Sequence, residues 1–395
     1  MKGSVRKKGA SWSYRIELGL VNGKRNQIER SGYKTKREAE KALNDALYQY
    51  NNTGDYIENK KITFTEVYTE FIENEAPATR AYATIVRYKS LYNNHFKDRF
   101  GPYYMYQITA NSINDFLNEK RTYLSEEFVK GLYKFLKVLF GYAHKRQYTK
   151  KDIFKSVTAP PDPRHVGEIR AYTAEELAAM EERLQGTNVI ISFYIALNTG
   201  MRESEIFGLQ WSDVDFEARK IKVHKQLLFQ DKKWCFCPLK TKNAYRSVNV
   251  TDSFCEYLKS LKEEQAKNKV FYEDGYKRNF VTDRLVRNKE KLLEITDFIN
   301  VKPNGEMLTT NSIKFMAKVM KNELNIPFKF HNLRHTFATV LAESGISPKY
   351  VQETLGHAKL EFTLRYYTHI TEKMGSAAKE AIEGLVSFKS NKEND

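Results

Sequence analysis

The sequence predicts a multidomain α+β protein, in which a small N-terminal β-sheet plus helix domain precedes an all-helical domain and a mainly helical domain with a small β-sheet. Three observations lead to this fold class. The chain has 395 residues, enough for two or three separate cores. Apolar residues recur with a period of two near the N-terminus and with a helical period further along the chain. Finally, the proline-rich stretch SVTAPPDPRHVGEIR separates the last two regions.

Residues 1–57 are predicted to form the sheet-plus-helix domain. Apolar and polar side chains alternate in SWSYRIELGL, which is typical of a half-buried strand. Asn22-Gly23 favours a tight hairpin turn into the returning strand KRNQIERS. Thr35 and Glu38 have the spacing of a capping box at the start of a helix that has one apolar side.

The positive charge of this first region indicates DNA binding. Residues 1–37 contain eleven Lys and Arg residues against two acids, Glu17 and Glu29. A sheet with charge this dense is suited to reading DNA, and a solvated basic face is the alternative interpretation. The side chains that we expect to bind DNA are Arg6, Lys7, Lys8, Arg15, Lys24, Arg25, Arg30, Lys34 and Lys36.

Residues 62–156 are predicted to form the all-helical domain. Thr63 and Glu66 make a second capping box, and apolar residues recur at helical spacing in three stretches that follow. The region contains no group of residues suited to chemistry, so a structural or DNA-clasping role is expected. The third domain, residues 170–395, begins at a capping box of Thr173 and Glu176. It alternates helices with one strand region, KIKVHKQLLF to KWCFCPLKTKNAYRSVNV.

The overall composition favours a polyanionic partner in a reducing compartment. Lys and Arg number 65 against 49 acids, which gives a net charge of +16. Nucleic acid is the first candidate ligand and an anionic membrane surface the second. Apolar runs such as NVIISFYIAL are too short for a membrane span, and the N-terminus lacks the apolar segment of a secretory signal. Three cysteines without CxxC spacing, Cys235, Cys237 and Cys255, predict a cytoplasmic protein without disulfides or a zinc module.

Four stretches of the third domain carry polar residues that together suit chemistry on a phosphodiester. They are LNTGMRESEIFGL with Arg202 and Glu205 in a helix, PLKTKNAYRSV with Lys240 and Lys242 in a turn between strands, FKFHNLRHTFATVLAESG with His331, Arg334 and His335 on one helix face, and LGHAKLEFTLRYYTH with His357, Tyr366 and Tyr367. Each feature alone is more often a surface ion pair, a core histidine or a packed tyrosine. The HExxH zinc motif is excluded because Asn332 stands in place of the glutamate.

The combination of these residues supplies the groups that DNA strand cleavage needs. Guanidinium forks clamp the non-bridging oxygens of a phosphate, and preplaced donors stabilise its developing charge. A tyrosine oxygen can then attack phosphorus and hold the strand as a covalent phosphotyrosine. Because the bond energy is kept in that intermediate, neither ATP nor a metal ion is needed, and no cofactor is expected.

The motifs TGMRESE, HNLRHTFAT, LGH and YTH resemble, in order and spacing, the signature motifs of the tyrosine recombinase (phage integrase) family. The resemblance covers the third domain. The first two domains resemble the arm-binding and core-binding (SAM-like) domains of integrases from conjugative transposons and temperate phages of Gram-positive bacteria. The resemblance therefore implies site-specific recombination. The enzyme would integrate and excise a mobile element at core and arm sites on double-stranded DNA, through a 3′-phosphotyrosine.

The same resemblance implies the partners and the setting of the reaction. Four protomers would form a synaptic tetramer on two duplexes and pass through a Holliday junction. An excisionase or a DNA-bending accessory protein would take part. The location implied is the bacterial cytoplasm, at the nucleoid.

Roles for the arginines and lysines also follow from the resemblance. Arg202 and Arg334 correspond to the phosphate clamp, and Glu205 corresponds to a residue that supports Arg202. Lys240 corresponds to the lysine that protonates the leaving 5′-oxygen. Lys242 stays open as the alternative because it lies two residues away in the same turn.

The three histidines would divide the remaining roles. By the same resemblance, His331 handles the proton, His357 contacts the scissile phosphate and His335 supports the structure. The tail beyond the tyrosines has one apolar side and is too short to be stable alone. We expect residues 376–395 to dock on a neighbouring protomer, and packing on their own domain is the alternative.

The adjacent tyrosines are expected to differ in role. Successive residues of a helix point about 100° apart, so only one of the pair can face the arginines. Tyr366 lines up with Phe362 and Ile370 in an apolar stripe and is expected to pack in the core. Tyr367 lies on another face and stands directly before Thr368, at the position of the nucleophile in the family that the motifs resemble.

Other functions compete with this interpretation. A chromosome-dimer resolvase of the same family would lack an arm domain, which the basic N-terminal sheet disfavours. A non-catalytic DNA-binding regulator could use a helix-turn-helix in which Gly345 ends one helix and Ser347 and Pro348 begin the next, but it leaves Arg202 and Tyr367 without a role. A metal-dependent nuclease would need a carboxylate cluster that this region does not show. A covalent adduct with nicked DNA would separate a recombinase from the regulator.

Overall fold

The structure of the chain is a computed structural model that describes residues 3–21, 24–53, 60–149, 152–161, 170–286 and 289–367. The chain divides into two compact units, Met1–Val166 and Gly167–Asp395. The first unit holds a small sheet with one helix and a helical region, and the second is mainly helical with two small sheets. The predicted α+β multidomain class is confirmed.

At the start of the first unit, an antiparallel three-stranded sheet packs one face against a helix. The elements are β1 (Gly3–Lys8), β2 (Ser11–Val21), β3 (Lys24–Tyr33) and α1 (Lys36–Thr53), and the strand order is β1-β2-β3. Tyr14 and Ile16 of β2 are buried on the helix side, as the alternation predicts. The Glu38 amide donates to Thr35 Oγ1 at 3.2 Å in the predicted capping box. The predicted Asn22-Gly23 turn lies outside the described residues.

The rest of the first unit is helical, as predicted. Its helices are α2 (Phe64–Glu70), α3 (Ala76–Thr79), α4 (Tyr82–Leu91), α5 (Lys97–Phe100), α6 (Ala110–Arg121) and α7 (Glu126–Lys145), with π-helical turns at Phe71–Glu75 and Tyr92–Phe96 and 3-10 turns at Met105–Gln107 and Ile153–Lys155. A core rich in phenylalanine joins the helices, and Phe64, Phe96 and Phe135 are fully buried in it. Thr63 and Glu66 form the predicted capping box at the start of α2.

Eight helices are described in the second unit. They are α8 (Ala174–Leu184), α9 (Ile190–Thr199), α10 (Glu203–Phe207), α11 (Asp252–Tyr272), α12 (Thr310–Glu323), α13 (Phe330–Glu343), α14 (Pro348–Leu355) and α15 (Leu360–Leu364). The capping box of Thr173 and Glu176 begins α8, as predicted. Helix α13 packs against α9. None of the helices that the structure describes combines the length and the apolar character of a membrane span.

The strand region of the second unit forms two sheets, whereas the sequence predicts one. The first sheet, in the order β4-β5-β8, consists of β4 (Val214–Asp215), β5 (Lys220–Val223) and β8 (Arg246–Asn249). The second, in the order β10-β9-β7-β6, consists of β6 (Gln226–Gln230), β7 (Lys233–Cys237), β9 (Asn279–Asp283) and β10 (Lys291–Ile295). Alternation marks a strand but not its partner, and β5 pairs with β8 across the intervening β6-β7 hairpin.

Two glycines shape the chain reversals that carry polar motifs. Gly200 ends α9 with a φ of +60°, and a Cβ atom there would lie 2.4 Å from the Phe337 ring of α13. Gly356 ends α14 with a φ of +68°, and a Cβ atom there would lie 2.9 Å from the Asn243 carbonyl oxygen. Both positions therefore need glycine for backbone conformation and for space. They bring the ends of α9 and α14 close to their neighbours.

Candidate active site

Arg334 forms the buried centre of the polar cluster in the second unit. It projects from α13 and is only 2% exposed. Its Nη1 donates to the Gly200 carbonyl oxygen and its Nη2 to the Leu355 carbonyl oxygen, each at 2.7 Å. Burial, followed by the charges of Arg202 and Arg246, lowers the pKa of Arg334, although a guanidinium stays charged at neutral pH. One guanidinium thus joins the turns that follow α9 and α14.

Arg202 is held next to this centre by Glu205. The Arg202 amide donates to Glu205 Oε2 at 2.9 Å, and its Nη1 donates to Oε1 at 2.8 Å. Its Nη2 lies 3.4 Å from the Gly356 carbonyl oxygen. The sequence pattern predicts that Arg202 lies inside a helix, and this prediction is wrong. The backbone of Arg202 is extended, with φ −74° and ψ 149°, and α10 begins one residue later because Gly200 has already ended α9.

A second arginine, Arg246, binds the same carboxylate, and sequence reasoning missed it. Its Nη2 donates to Glu205 Oε2 at 2.9 Å, and the side chains of Glu205 and Arg246 are 1% and 5% exposed. Burial raises the pKa of Glu205, but Arg246 and then Arg202 outweigh burial, so the pKa lies below its ordinary value. Arg246 occurs in the quoted stretch PLKTKNAYRSV, yet nothing there shows that β8 carries it to Glu205.

His331 and His335 stand one turn apart on α13, with ring centroids 4.6 Å apart. His331 is exposed, although the surrounding protein excludes part of the water from its ring. Burial, then the charges of Arg334 and Arg202, lowers the pKa of His331. Burial, then His331 and Arg334, lowers the pKa of His335 to about 4. Both imidazoles are therefore neutral at pH 7, and His331 is the one with access to a bound molecule.

His357 follows Gly356 in the turn after α14. Its Nδ1 lies 2.9 Å from Thr363 Oγ1. This contact fixes the orientation of the imidazole ring and does not involve Nε2. Burial, then the charges of Arg334 and Arg202, lowers the pKa of His357 to about 3. The structure therefore brings His357 together with the two arginines and with His331.

The tyrosine pair differs from the sequence prediction. Helix α15 ends at Leu364 and the tyrosines follow in a turn, so the angular argument for helix residues does not apply to them. Tyr366 Oη lies 2.6 Å from His335 Nδ1, and its ring stacks on His357 at 6.4 Å. The Tyr367 hydroxyl donates instead to the Ile346 carbonyl oxygen.

Neither tyrosine is poised as a phenolate in this conformation. Burial raises the pKa of Tyr366, with Arg334 and Arg365 opposing it, and burial raises the pKa of Tyr367. Tyr366 is buried in an apolar cluster, as the sequence predicts, and its hydroxyl in addition contacts His335 of the polar cluster. Tyr367 is buried in the same apolar cluster, but its hydroxyl contacts Ile346 and not the polar cluster. A nucleophilic tyrosine here requires a base to take its proton.

The loop between β7 and β8 carries Lys240 and Lys242. Both side chains are exposed, and Lys242 begins a 3-10 turn, Lys242–Ala244. Asn243 Nδ2 lies 3.4 Å from the His357 carbonyl oxygen, which joins the end of this loop to the His357 turn. The two strands that flank the loop belong to different sheets. The loop therefore lies beside the cluster, and the choice between the two lysines stays open.

In the first unit, strand alternation divides the basic residues that are predicted to bind DNA. Arg6, Lys8 and Arg15 lie on the face of the sheet opposite α1. They surround Glu29, which accepts from Arg6 Nη2 at 2.7 Å and from Arg15 Nη2 at 3.1 Å and pairs with Lys8 Nζ at 3.5 Å. Hydrogen bonds from Arg6 and then Arg15 lower the pKa of Glu29 to about 2. An acid therefore sits at the centre of this basic face.

Among the other predicted DNA-binding residues, those with described side chains do not share that face. Lys7 and Arg30 occupy register positions on the α1 side, where Arg30 pairs with Tyr14. Lys34 precedes α1, and Lys36 in its first turn pairs with Glu40 at 3.4 Å. The side chains of residues 24 and 25 lie outside the described part of the chain. A single reading face that contains all nine residues is therefore excluded by the period of two.

Comparisons with known proteins cover nearly the whole chain. Residues 4–61 match the Arm DNA-binding domain, residues 63–121 the phage integrase N-terminal SAM-like domain, and residues 169–374 the phage integrase family. The chain is 28% identical to a tyrosine recombinase XerC-like protein of Caldanaerobacter subterraneus subsp. tengcongensis, over 94% of this chain and 96% of the relative. It is 26% identical to the ICEBs1 integrase of Bacillus subtilis, over 71% of this chain and 72% of the relative.

A solved structure shares the fold. The Tn1549 transposon integrase in complex with transposon right end DNA matches with a TM-score of 0.62 at 22% identity, over 81% of this chain and 99% of that chain. The phage integrase family model spans residues 169–374 of the 395, more than half of the sequence, and includes the whole polar cluster. The chain therefore belongs to the phage integrase family and is a tyrosine recombinase, an enzyme of site-specific DNA recombination.

Proposed function

We propose that this recombinase integrates and excises a mobile genetic element, and that it cuts and rejoins DNA through a 3′-phosphotyrosine. One observation carries the proposal. Arg202, Arg334, His331 and His357 come from three separate stretches of the chain and lie around one position, with Glu205 buried behind them. Such a set of preplaced donors fits the oxygens of a phosphodiester.

The arginines would bind the scissile phosphate and stabilise its developing charge. Arg334 Nη1 and Nη2 each donate one N–H to a carbonyl oxygen, and each carries a second N–H for a ligand. Arg202 is one-third exposed and is oriented by Glu205 from behind. Removing one preorganised donor of this kind costs about 10²- to 10³-fold in rate.

The neutral histidines and a lysine would move the protons. His331 takes the proton of the tyrosine hydroxyl as its oxygen attacks phosphorus, and His357 donates to a non-bridging oxygen through Nε2. The bond between phosphorus and the 5′-oxygen breaks, and Lys240, or Lys242 from the same loop, gives that oxygen its proton. The reverse attack by a 5′-hydroxyl restores the DNA backbone and frees the tyrosine.

We assign the attack to Tyr367. It stands directly before Thr368-His369 and ten residues after His357, as the family resemblance requires. Its hydroxyl must then leave the Ile346 carbonyl oxygen, and the turn at residues 365–367 must rearrange when DNA binds. Tyr366 is the competing candidate because its hydroxyl already contacts His335. His335 and Glu205 act as supporting residues.

The rest of the chain would recognise DNA and a partner protomer. We propose that residues 1–57 bind arm sites, residues 62–156 bind core sites, and residues 170–395 carry out catalysis and end in a docking tail. Double-stranded DNA and further copies of the chain in a synaptic tetramer are the expected partners, and an excisionase or DNA-bending protein completes the complex. The integrases solved with DNA and as a Holliday-junction tetramer support this arrangement. The reaction would take place in the bacterial cytoplasm, at the nucleoid.

A chromosome-dimer resolvase is the second candidate, since one relative is named a XerC-like tyrosine recombinase. The match of residues 4–61 to an arm DNA-binding domain favours the integrase instead. Both candidates form a covalent adduct, so a library of nicked duplexes with a randomised core tests the shared chemistry. Protein-linked DNA recovered from the library identifies the core site. An integrase additionally retains a second DNA sequence through residues 1–57, and a resolvase does not.

A further inference from the structure

Arg246 joins three segments of the chain that surround the phosphate position. Its Nη2 donates to Glu205 Oε2 at 2.9 Å, its Nε to the Thr354 carbonyl oxygen at 2.6 Å, and its Nη1 to the Ala244 carbonyl oxygen at 3.0 Å. These acceptors belong to α10, to the end of α14 and to the end of the loop between β7 and β8, which carries Lys240 and Lys242 and is called the lysine loop below. Because the Arg246 side chain is only 5% exposed, water does not replace its hydrogen bonds to these acceptors.

We propose that Arg246 is a positioning residue for recombination, which holds Arg202, the His357 turn and the lysine loop in one arrangement. The proposal rests on the proposed function, since the arrangement matters only if this cluster binds a phosphate. Arg246 does not touch the phosphate in this scheme. It acts through Glu205 and through the backbone on which His357 stands.

The first route runs through the Glu205 carboxylate. Oε1 accepts from Arg202 Nη1, while Oε2 accepts from both the Arg202 amide and Arg246 Nη2. The hydrogen bond from Arg246 therefore fixes the rotation of the carboxylate, and the carboxylate fixes the Arg202 fork. Without Arg246, the buried Glu205 carboxylate keeps one charged partner instead of two. Arg202 is then drawn closer to that carboxylate and away from the side that would bind the phosphate.

The second route runs through the turn that carries His357. The Thr354 carbonyl group lies in the last turn of α14, two residues before Gly356. A Cβ atom at Gly356 would lie 3.3 Å from Arg246 Cδ, so the turn packs directly on this side chain. Gly356 in turn accepts from Arg202 Nη2 at 3.4 Å. Arg246 therefore sets the spacing between the clamp and His357.

The third contact ties the lysine loop into the same arrangement. Ala244 lies four residues after Lys240, and its carbonyl oxygen is held by Arg246 Nη1. A lysine at position 246 would supply one compact charge and could not reach all three acceptors in their separate directions. The conservative replacement should therefore restore part of the function and not all of it.

The test compares Arg246→Gln and Arg246→Lys with the wild-type chain on a nicked duplex recovered from the randomised library. We expect the single-turnover rate of adduct formation at saturating DNA to fall about 100-fold in Arg246→Gln, the loss expected for a misplacement of about 1 Å, and about tenfold in Arg246→Lys. The Kd for that duplex should stay within about threefold in both, because the DNA-facing groups remain.

Arg284→Gln is the matched control. Arg284 is another arginine of the second unit, its side chain is 19% exposed, and its Nη2 pairs with Asp231 at 3.0 Å. It should lose comparable thermal stability and keep the wild-type rate at saturating DNA. Equal rate losses in Arg284→Gln and Arg246→Gln, or an Arg246→Gln rate within threefold of wild type, would overturn the positioning role. If Arg246→Gln does not fold, a wild-type rate in Arg246→Lys has the same consequence.

Hydrogen exchange keeps this proposal separate from the proposed function. The Gly356 and His357 amides donate to Glu353 and Gln352 carbonyl oxygens, and both should exchange faster in Arg246→Gln than in Arg284→Gln. Absence of an adduct with the wild-type chain would contradict the recombination chemistry alone. Unchanged exchange at these two amides would contradict the role of Arg246 whatever the wild-type chain does to DNA.

Discussion

Replacing Glu205 by glutamine removes the buried charge on which Arg202 and Arg246 converge. The shape of the side chain is kept, and one oxygen still accepts a hydrogen bond. Arg202 is one-third exposed and can be solvated, so its ion pair contributes about 1 kcal/mol or less. Arg246 is 5% exposed and is left beside a neutral amide. Removing one partner of a buried ion pair in this way costs about 3–5 kcal/mol of stability. We therefore expect a loss of about 3 kcal/mol in the free energy of unfolding at pH 7, the lower end of that range, because the amide oxygen keeps one contact.

The effect should depend on pH in a defined direction. The pKa of Glu205 is lowered from its ordinary value of 4.5 in the folded chain. A lowered carboxyl pKa contributes stability that is fully present above the unfolded value and is lost as the pH falls through the folded value. The variant has no such group. The stability difference between wild type and Glu205→Gln should therefore be constant above that unfolded value and should shrink at lower pH.

Urea unfolding followed by tryptophan fluorescence measures this difference. Trp211 and Trp234 lie in the second unit, and a Trp12→Phe background removes the signal of the first. The measurement is made from pH 7 down to about pH 3. A difference of less than about 1 kcal/mol at pH 7 would refute the buried ion-pair reasoning, as would a difference that stays constant through acid pH.

Three further predictions concern the DNA, the histidines and the tail. Deleting residues 1–57 should spare core-site binding but abolish salt-sensitive binding to a second DNA class. The physical reason is that each phosphate neutralised by the protein steepens the salt dependence of binding. An unchanged slope of log K against log salt would contradict the arm role. The adduct rate should fall in acid with a midpoint below 6.5, the ordinary imidazole value, because the pKa of His331 is lowered. A decline centred on the ordinary value of 6.5 would show that His331 is not the base or is not shielded. Deleting residues 376–395 should reduce both multimer formation and recombination. Multimer formation on DNA is measured by light scattering. Full levels of both would exclude docking on a neighbouring protomer.

Local features were predictable because their causes are local. The capping boxes at Thr35, Thr63 and Thr173 need only residues three apart, and the burial of Tyr14 and Ile16 follows from strand alternation. The division of the basic N-terminal residues between two faces follows from the same period of two.

Features that depend on distant contacts were not predictable in this way. Arg246 reaches Glu205 only because β8 pairs with β5, and a strand pattern does not name its partner. Arg202 leaves the helix because α9 must end in a left-handed glycine where Phe337 packs. The tyrosines leave helical geometry after Leu364, so their directions depend on His335 and Ile346, which are distant in sequence.

The identity of the nucleophile is decided by mapping the covalent bond. Wild type, Tyr367→Phe and Tyr366→Phe are each incubated with a nicked suicide duplex, digested with protease and nuclease, and analysed by mass spectrometry for a nucleotide-linked tyrosine. We predict linkage at Tyr367 in the wild type, none in Tyr367→Phe although it still binds and assembles on DNA, and linkage with a modest loss of rate in Tyr366→Phe. Linkage at Tyr366, with an active Tyr367→Phe and an inactive Tyr366→Phe, would contradict the assignment.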